Sequence, residues 1–208
     1  MIRLHHLNQS RSIRILWLLE EIGAPYDIEF YRRDSKTHFA PESLKAIHPL
    51  GKSPVIELDG KVVAESGAIT EILIERFAPH LAPEKHTADY LDYLQWLHFS
   101  ESSAMLPPLL KIFAQRETAT LSFLPGYAQL ECEKVFGYLD QQLENRTFLV
   151  GEKLSGADFM MLFVAELVER LEKPETYANI QRYLATLKNL DSWKVRRRVR
   201  LRFTGKAG

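Results

Sequence analysis

The chain has 208 residues, 46% of them hydrophobic and 26% charged, which is enough to bury the core of one or two globular domains. Lys+Arg and Asp+Glu are 27 each, so no net field draws the molecule to nucleic acid or to an anionic membrane. Cys132 is the single cysteine, which excludes an internal disulfide and a paired-cysteine metal site. Neither a signal-peptide core nor an apolar run of about 18 residues is present, so a reducing cytoplasm is the expected compartment.

Residues 2–7 read as a first strand, and Asn8-Gln9-Ser10 as a turn with capping residues. Ser12 to Ile22 has helical apolar spacing through Ile15, Leu16, Leu18, Leu19 and Ile22. Gly23 closes this helix and Pro25 follows. Tyr26–Tyr31 alternates as a second strand, so the opening has the length of a parallel βαβ unit. Residues 32–40 form a polar loop and 41–47 a short helix. Val55 to Leu58 and Lys61 to Val63 form a hairpin about Asp59-Gly60, and a helix runs from about Gly67 to Phe77.

The stretch from His48 to Ser66 carries the functional signal. His48-Pro49-Leu50-Gly51 is a turn. Pro54 heads a buried strand although it donates no ladder hydrogen bond, which a cis peptide bond in a tight turn would explain. Val55 would then offer its N–H and C=O to an extended peptide. Glu65 and Ser66 stand at a helix start, where free N–H groups and the positive dipole end receive a carboxylate. An open backbone edge, Lys52 and this helix start describe a site for a small peptide with charged ends.

Pro79-His80-Leu81-Ala82-Pro83 reads as a linker. Beyond it the pattern is helical. A long amphipathic helix is expected over 87–116, kinked or broken at Pro107-Pro108, and another over 124–144. Ser155 and Asp158 form a capping box before Phe159 to Leu167, which is apolar nearly all round and therefore buried. Lys194 to Lys206 contains seven basic residues and no acidic one, a pattern usually belonging to a solvated helix end or a tail.

The combination of Pro54, Val55, Glu65, Ser66 and the strand-helix-strand-helix-strand-strand-helix order resembles the cytosolic glutathione transferases, in their bacterial and fungal branch. The resemblance covers about residues 2–190. It implies an α/β thioredoxin-like N-terminal domain over 1–78, a linker over 79–86 and an all-α helical domain over 87–208. It also implies a homodimer, no permanently bound cofactor, and glutathione as co-substrate for conjugation to a small hydrophobic electrophile, with peroxide reduction as a second chemistry. Pro54 and Val55 would meet the cysteinyl part of glutathione, Glu65 and Ser66 the γ-glutamyl end, and Lys52 the glycyl carboxylate. A transferase-like fold kept as a non-catalytic interaction module is the alternative.

The family's chemistry needs a hydrogen-bond donor aimed at the glutathione sulfur, because only the thiolate is a useful nucleophile and a free thiol titrates near about 8.5. The loop after the first strand has neither tyrosine nor cysteine, which disfavours disulfide chemistry through a protein sulfur. Ser10 is the first candidate donor, Asn8 the second and Ser12 the third, with Ser10 equally suited to capping the helix. Counting back from Arg14 places Leu7 at the family's usual donor position, which would leave the work to a neighbour or a backbone N–H. Arg11 could assist the thiolate or a substrate anion. For the second substrate Tyr90, His98, Met105 and Phe113 are candidates, along with Trp96 and Phe99.

Overall fold

The computed structural model describes residues 1–196, which fall into two compact units. The first unit is Met1–Ala82 together with the chain from Lys188, and the second is Pro83–Leu187.

The first unit is built on a four-stranded sheet in the order β2-β1-β3-β4. β1 (Ile2–Leu7) and β2 (Tyr26–Tyr31) are parallel, with Ile2 opposite Tyr26. The crossover between them is α1 (Ser12–Ile22), which ends on Gly23 in the left-handed region, φ 68°, with the Gly23 N–H donating to Leu19 O. Only glycine takes that backbone without cost. β3 (Val55–Leu58) lies antiparallel to β1, and β4 (Lys61–Ala64) folds back on β3. Asp59 and Gly60 both have positive φ, the requirement of the hairpin turn that matches strand twist.

Adjacent β1 residues point to opposite faces. Leu7 packs with Tyr31 and with Leu44 of α2 (Glu42–Ile47), while the His6 ring bonds to Ser12 of α1. The two helices therefore cover opposite faces of the sheet. α3 (Ser66–Phe77) packs beside α1 and buries Ile69, Leu73 and Ile74. Helical residues 191–196 group with this unit, because Trp17 of α1 donates to Ser192 Oγ at 2.9 Å and meets Trp193 edge-on.

The second unit is helical: α4 (Ala88–Phe99), α5 (Leu106–Arg116), α6 (Leu124–Gln142), α7 (Gly156–Leu171) and α8 (Ala178–Asn189). α5 packs on α6, and α4 on α7. Where one long helix over 87–116 is expected, there are two. The break falls at residues 100–105, ahead of the prolines. Ser100 Oγ donates to Leu97 O at 2.7 Å and Ser102 Oγ to His98 O at 2.8 Å, so hydroxyls satisfy the last carbonyls of α4 and stop it. Pro107 and Pro108 then occupy the first turn of α5, where a missing N–H costs nothing.

α7 is the core of this unit, buried from Gly156 through Leu162. Its capping box closes through Asp158, whose Oδ2 accepts from the Ser155 N–H at 2.8 Å and the Ser155 hydroxyl at 3.1 Å. Asp158 Oδ1 accepts from Leu149 N and the Tyr183 hydroxyl, so one carboxylate ties the preceding loop, the α7 start and α8 together. Lys111 of α5 reaches Glu172 past the end of α7 at 2.6 Å, both largely buried.

Candidate functional site

The end of β1, the start of β3 and the end of β4 meet at one end of the first unit's sheet. His5 pairs with Val55, and Val55 pairs with Ala64. The loop after β1 (Asn8 to Arg11), the Ser53-Pro54 turn and the Glu65–Ser66 start of α3 are therefore neighbours by register.

The Ser53–Pro54 bond is cis. The β3 ladder ends at Val55, which lies between His5 on one side and Ala64 on the other, so its backbone is not the open edge that the sequence suggests. Two residues earlier the pattern would set Ser53 against Leu7. There the Ser53 hydroxyl replaces the backbone, accepting from Leu7 N at 3.2 Å and donating to His5 O at 2.8 Å. This substitution takes Ser53 out of the ladder, and its N–H is the first main-chain donor beyond it, because Pro54 has none. Sequence reasoning overlooked Ser53. A serine just before the Pro54 turn was the available signal.

Glu65 is exposed and takes φ 72°, a left-handed backbone that a non-glycine residue adopts at a cost. It precedes α3, and Ser66 follows as the buried first residue of the helix. Arg11, at the start of α1, feels the Glu65 charge. Burial lowers the Arg11 pKa and Glu65 partly offsets this. Lys52 is exposed on the same turn.

The β1–α1 loop and the first residue of α1 carry the three donor candidates in different states. Ser10 is buried, and its hydroxyl donates to Leu7 O at 2.7 Å. Its Oγ also lies 2.7 Å from Ser12 Oγ and accepts from Ser12 N at 3.3 Å. Ser12 is fully buried, with Oγ 2.9 Å from His6 Nδ1. Ser12 Oγ also lies 3.4 Å from Leu7 O, so the two hydroxyl protons are shared within one buried network of Leu7 O, Ser10, Ser12 and His6. Ser10 then acts as a local cap. Asn8 is half-buried, and its Oδ1 accepts from the Arg33 N–H at 2.8 Å. That contact settles the amide orientation, because only the oxygen can accept. Gln9, φ 51°, turns the chain between Asn8 and the helix.

The second-substrate candidates lie in the second unit. Tyr90 is half-buried on α4 and stacks on Tyr93. His98 is exposed on the same helix and Phe113 is exposed on α5, while Met105 is buried in the core. Trp96 and Phe99 pack with Tyr138 in an aromatic cluster. Of the basic C-terminal run, Lys194 pairs with Asp191 and Arg196 lies 3.5 Å over the Trp193 ring. Arg197, Arg198, Arg200, Arg202 and Lys206 lie outside the described residues. No helix among the described residues is long and apolar enough to cross a membrane.

Comparison with known proteins identifies the family. The model for the glutathione S-transferase N-terminal domain matches residues 1–75, and that for the C-terminal domain matches residues 103–191. Glutathione S-transferase 3 of Schizosaccharomyces pombe is 32% identical, covering 94% of this chain and 86% of that protein. Glutathione S-transferase 1 of Saccharomyces cerevisiae is 30% identical over 93% and 92%. A crystal structure of a glutathione S-transferase from Actinobacillus pleuropneumoniae superposes with a TM-score of 0.88 at 35% identity, covering 96% of this chain and 92% of that one. A weaker likeness extends to elongation factor 1-gamma of Drosophila melanogaster, 28% identical over 86% of this chain but only 42% of that protein. With a four-stranded thioredoxin-like sheet, an all-helical unit, and two transferases matched at 30% identity or more over nearly their full length, the chain belongs to the glutathione S-transferase family.

Proposed function

We propose that this chain binds glutathione at one end of its four-stranded sheet and adds the glutathione thiolate to small hydrophobic electrophiles. The observation that carries the reading is the meeting of three groups at one end of the sheet: the main chain of Ser53, the Glu65–Ser66 start of α3 and the loop after β1. Glu65 and Ser66 take the γ-glutamyl end. Ser53, beside Pro54 and Val55, offers its backbone to the cysteinyl unit, and Lys52 meets the glycyl carboxylate. The glutathione site lies within residues 1–78, and the second-substrate candidates lie in the helical domain that follows a linker over 79–86. Tyr90, His98 and Phe113 are better placed to meet an electrophile than the buried Met105.

Asn8 is the donor that holds the sulfur as thiolate. Its Oδ1 is taken by Arg33, which leaves its Nδ2 hydrogens to donate, whereas the buried Ser10 hydroxyl is engaged with Leu7 O and Ser12. The same thiolate can reduce a peroxide: it attacks one peroxide oxygen, the O–O bond breaks and the alcohol departs, leaving the sulfenic acid of glutathione; a second glutathione thiol then attacks that sulfur, forming the disulfide and expelling water. The protein works in the cytoplasm as a homodimer and needs no permanently bound cofactor. The interaction-module alternative is weaker, because such a module has no use for a glutathione site.

Calorimetry tests the reading. Glu65→Ala with Ser66→Ala should weaken glutathione binding by roughly 3 kcal/mol, the loss of charge-assisted hydrogen bonds. An unchanged affinity would remove the γ-glutamyl end from this helix start.

A further inference from the structure

Arg33 stands just past the end of β2, 25 residues from Asn8 in sequence, and makes an unusual set of contacts. Its backbone N–H donates to Asn8 Oδ1 at 2.8 Å, its side-chain Nε to Asn8 O at 3.2 Å, and its Nη1 to His38 O at 3.0 Å. One residue therefore holds both the main chain and the side chain of Asn8. It also braces them against the loop that leads to α2.

The guanidinium is half-buried, and burial lowers its pKa with no counter-charge to offset it. Among the described residues no carboxylate pairs with it. The adjacent Asp34 turns its Oδ1 to the Lys36 and Thr37 N–H groups and to the Thr37 hydroxyl instead. A half-buried arginine bonded only to carbonyls contributes little as an ion pair. Its planar fork does fix the geometry of what it grips.

We infer that Arg33 is a positioning residue for the thiol, holding the Asn8 carboxamide so that its Nδ2 points out of the loop. The inference rests on the reading of Asn8 as the donor. Donors aimed before the charge develops cost no reorganisation when it forms, so a freely rotating Asn8 would stabilise the thiolate less. The Asn8 amide oxygen remains on the Arg33 backbone N–H when the side chain is removed. What the side chain adds is the fixed position of the Asn8 carbonyl and of the loop around it.

The test is the ultraviolet absorbance of enzyme-bound glutathione thiolate, titrated against pH for wild type, Arg33→Met, Arg33→Lys and Asn8→Ala, and for each Arg33 variant combined with Asn8→Ala. Arg33→Met should raise the titration midpoint enough to cut the thiolate present at pH 7 by about three- to tenfold. kcat should fall in proportion while KM for glutathione stays nearly constant. Arg33→Lys, which keeps the charge but loses the fork, should show a smaller rise. Either change should have no further effect once Asn8→Ala is present, since residues acting through one another are not additive.

Additive shifts would mean that the Arg33 charge acts on the sulfur directly, and positioning would be overturned. Asn8→Ala shifting the midpoint while neither Arg33 variant does would overturn the inference and leave the donor intact. No shift with Asn8→Ala would remove the donor, and the inference with it. If circular dichroism shows Arg33→Met to be unfolded, the Arg33→Lys comparison, with and without Asn8→Ala, decides the same question.

Discussion

Single side chains decide the chemistry of the β1–α1 loop through hydrogen-bond arithmetic. Ser10 has one proton, and Leu7 O receives it at 2.7 Å. Redirecting that proton to a sulfur would give up this short bond and leave Leu7 O only the longer contact from Ser12 Oγ at 3.4 Å, a cost that offsets part of the gain. Asn8 has two amide protons after its oxygen is engaged. Asn8→Ala is therefore expected to move the titration of bound glutathione towards the free-thiol value. The loss of about 1–3 kcal/mol corresponds to roughly one to two orders of magnitude in turnover at neutral pH. Ser10→Ala should leave the titration in place and cost about 1 kcal/mol of stability, as for a lost cap. Ser12→Ala should likewise affect folding only. A midpoint that moves with Ser10→Ala and not with Asn8→Ala would return the donor role to the serine.

Among elements, α7 has the most demanding start. Burial pushes the Asp158 carboxyl up to about 6, although Leu149 N, Ser155 N, the Tyr183 hydroxyl and the Ser155 hydroxyl all favour the charged form. The ordinary value is 3.8, so the folded state binds this proton more tightly than the unfolded state does. The resulting stabilisation is fully present below about pH 4 and is lost as pH rises through about 6; it amounts to at most about 3 kcal/mol. At pH 7 Asp158→Asn should cost roughly 2–4 kcal/mol, because an amide nitrogen would face buried donors. Urea midpoints at pH 7, 5 and 4 should show the wild-type advantage over this variant widening as pH falls. A narrowing advantage would mean that the four donors outweigh burial.

For the whole molecule, large apolar side chains remain uncovered on both units. Phe39 is 74% exposed in the first, and Phe123 is 73% and Leu130 59% exposed in the second. Isolated exposed apolar residues are ordinary, but Phe123 stacks on Tyr127 and lies one turn of α6 from it, which makes a stripe that a second copy could cover. Light scattering at micromolar concentration should give twice the 24.0 kDa of one chain. A mass near that of one chain would exclude the homodimer.

What the sequence determined by itself is what neighbours in the chain decide. The limits of β1, α1 and β2 follow from periodicity and from Gly23, and the hairpin follows from Asp59-Gly60. Asp158 at the third position of α7 follows from the spacing to Ser155. The break between α4 and α5 was half legible: the prolines announced it, but the serines at 100 and 102 placed it earlier by capping carbonyls. Pairings across the fold were left to the tertiary structure. Register alone shows that Val55 sits between two strands while Ser53 leaves the ladder. Arg33 reaches Asn8 only because β1 and β2 run parallel and end together. The tryptophan pair likewise draws residues 191–196 to the first unit, far in sequence from α1. The physical reason is common to all of these. A residue type declares how many hydrogen bonds or how much apolar surface it can offer, but which partner takes them depends on which distant strand or helix the packed core brings within about 3 Å.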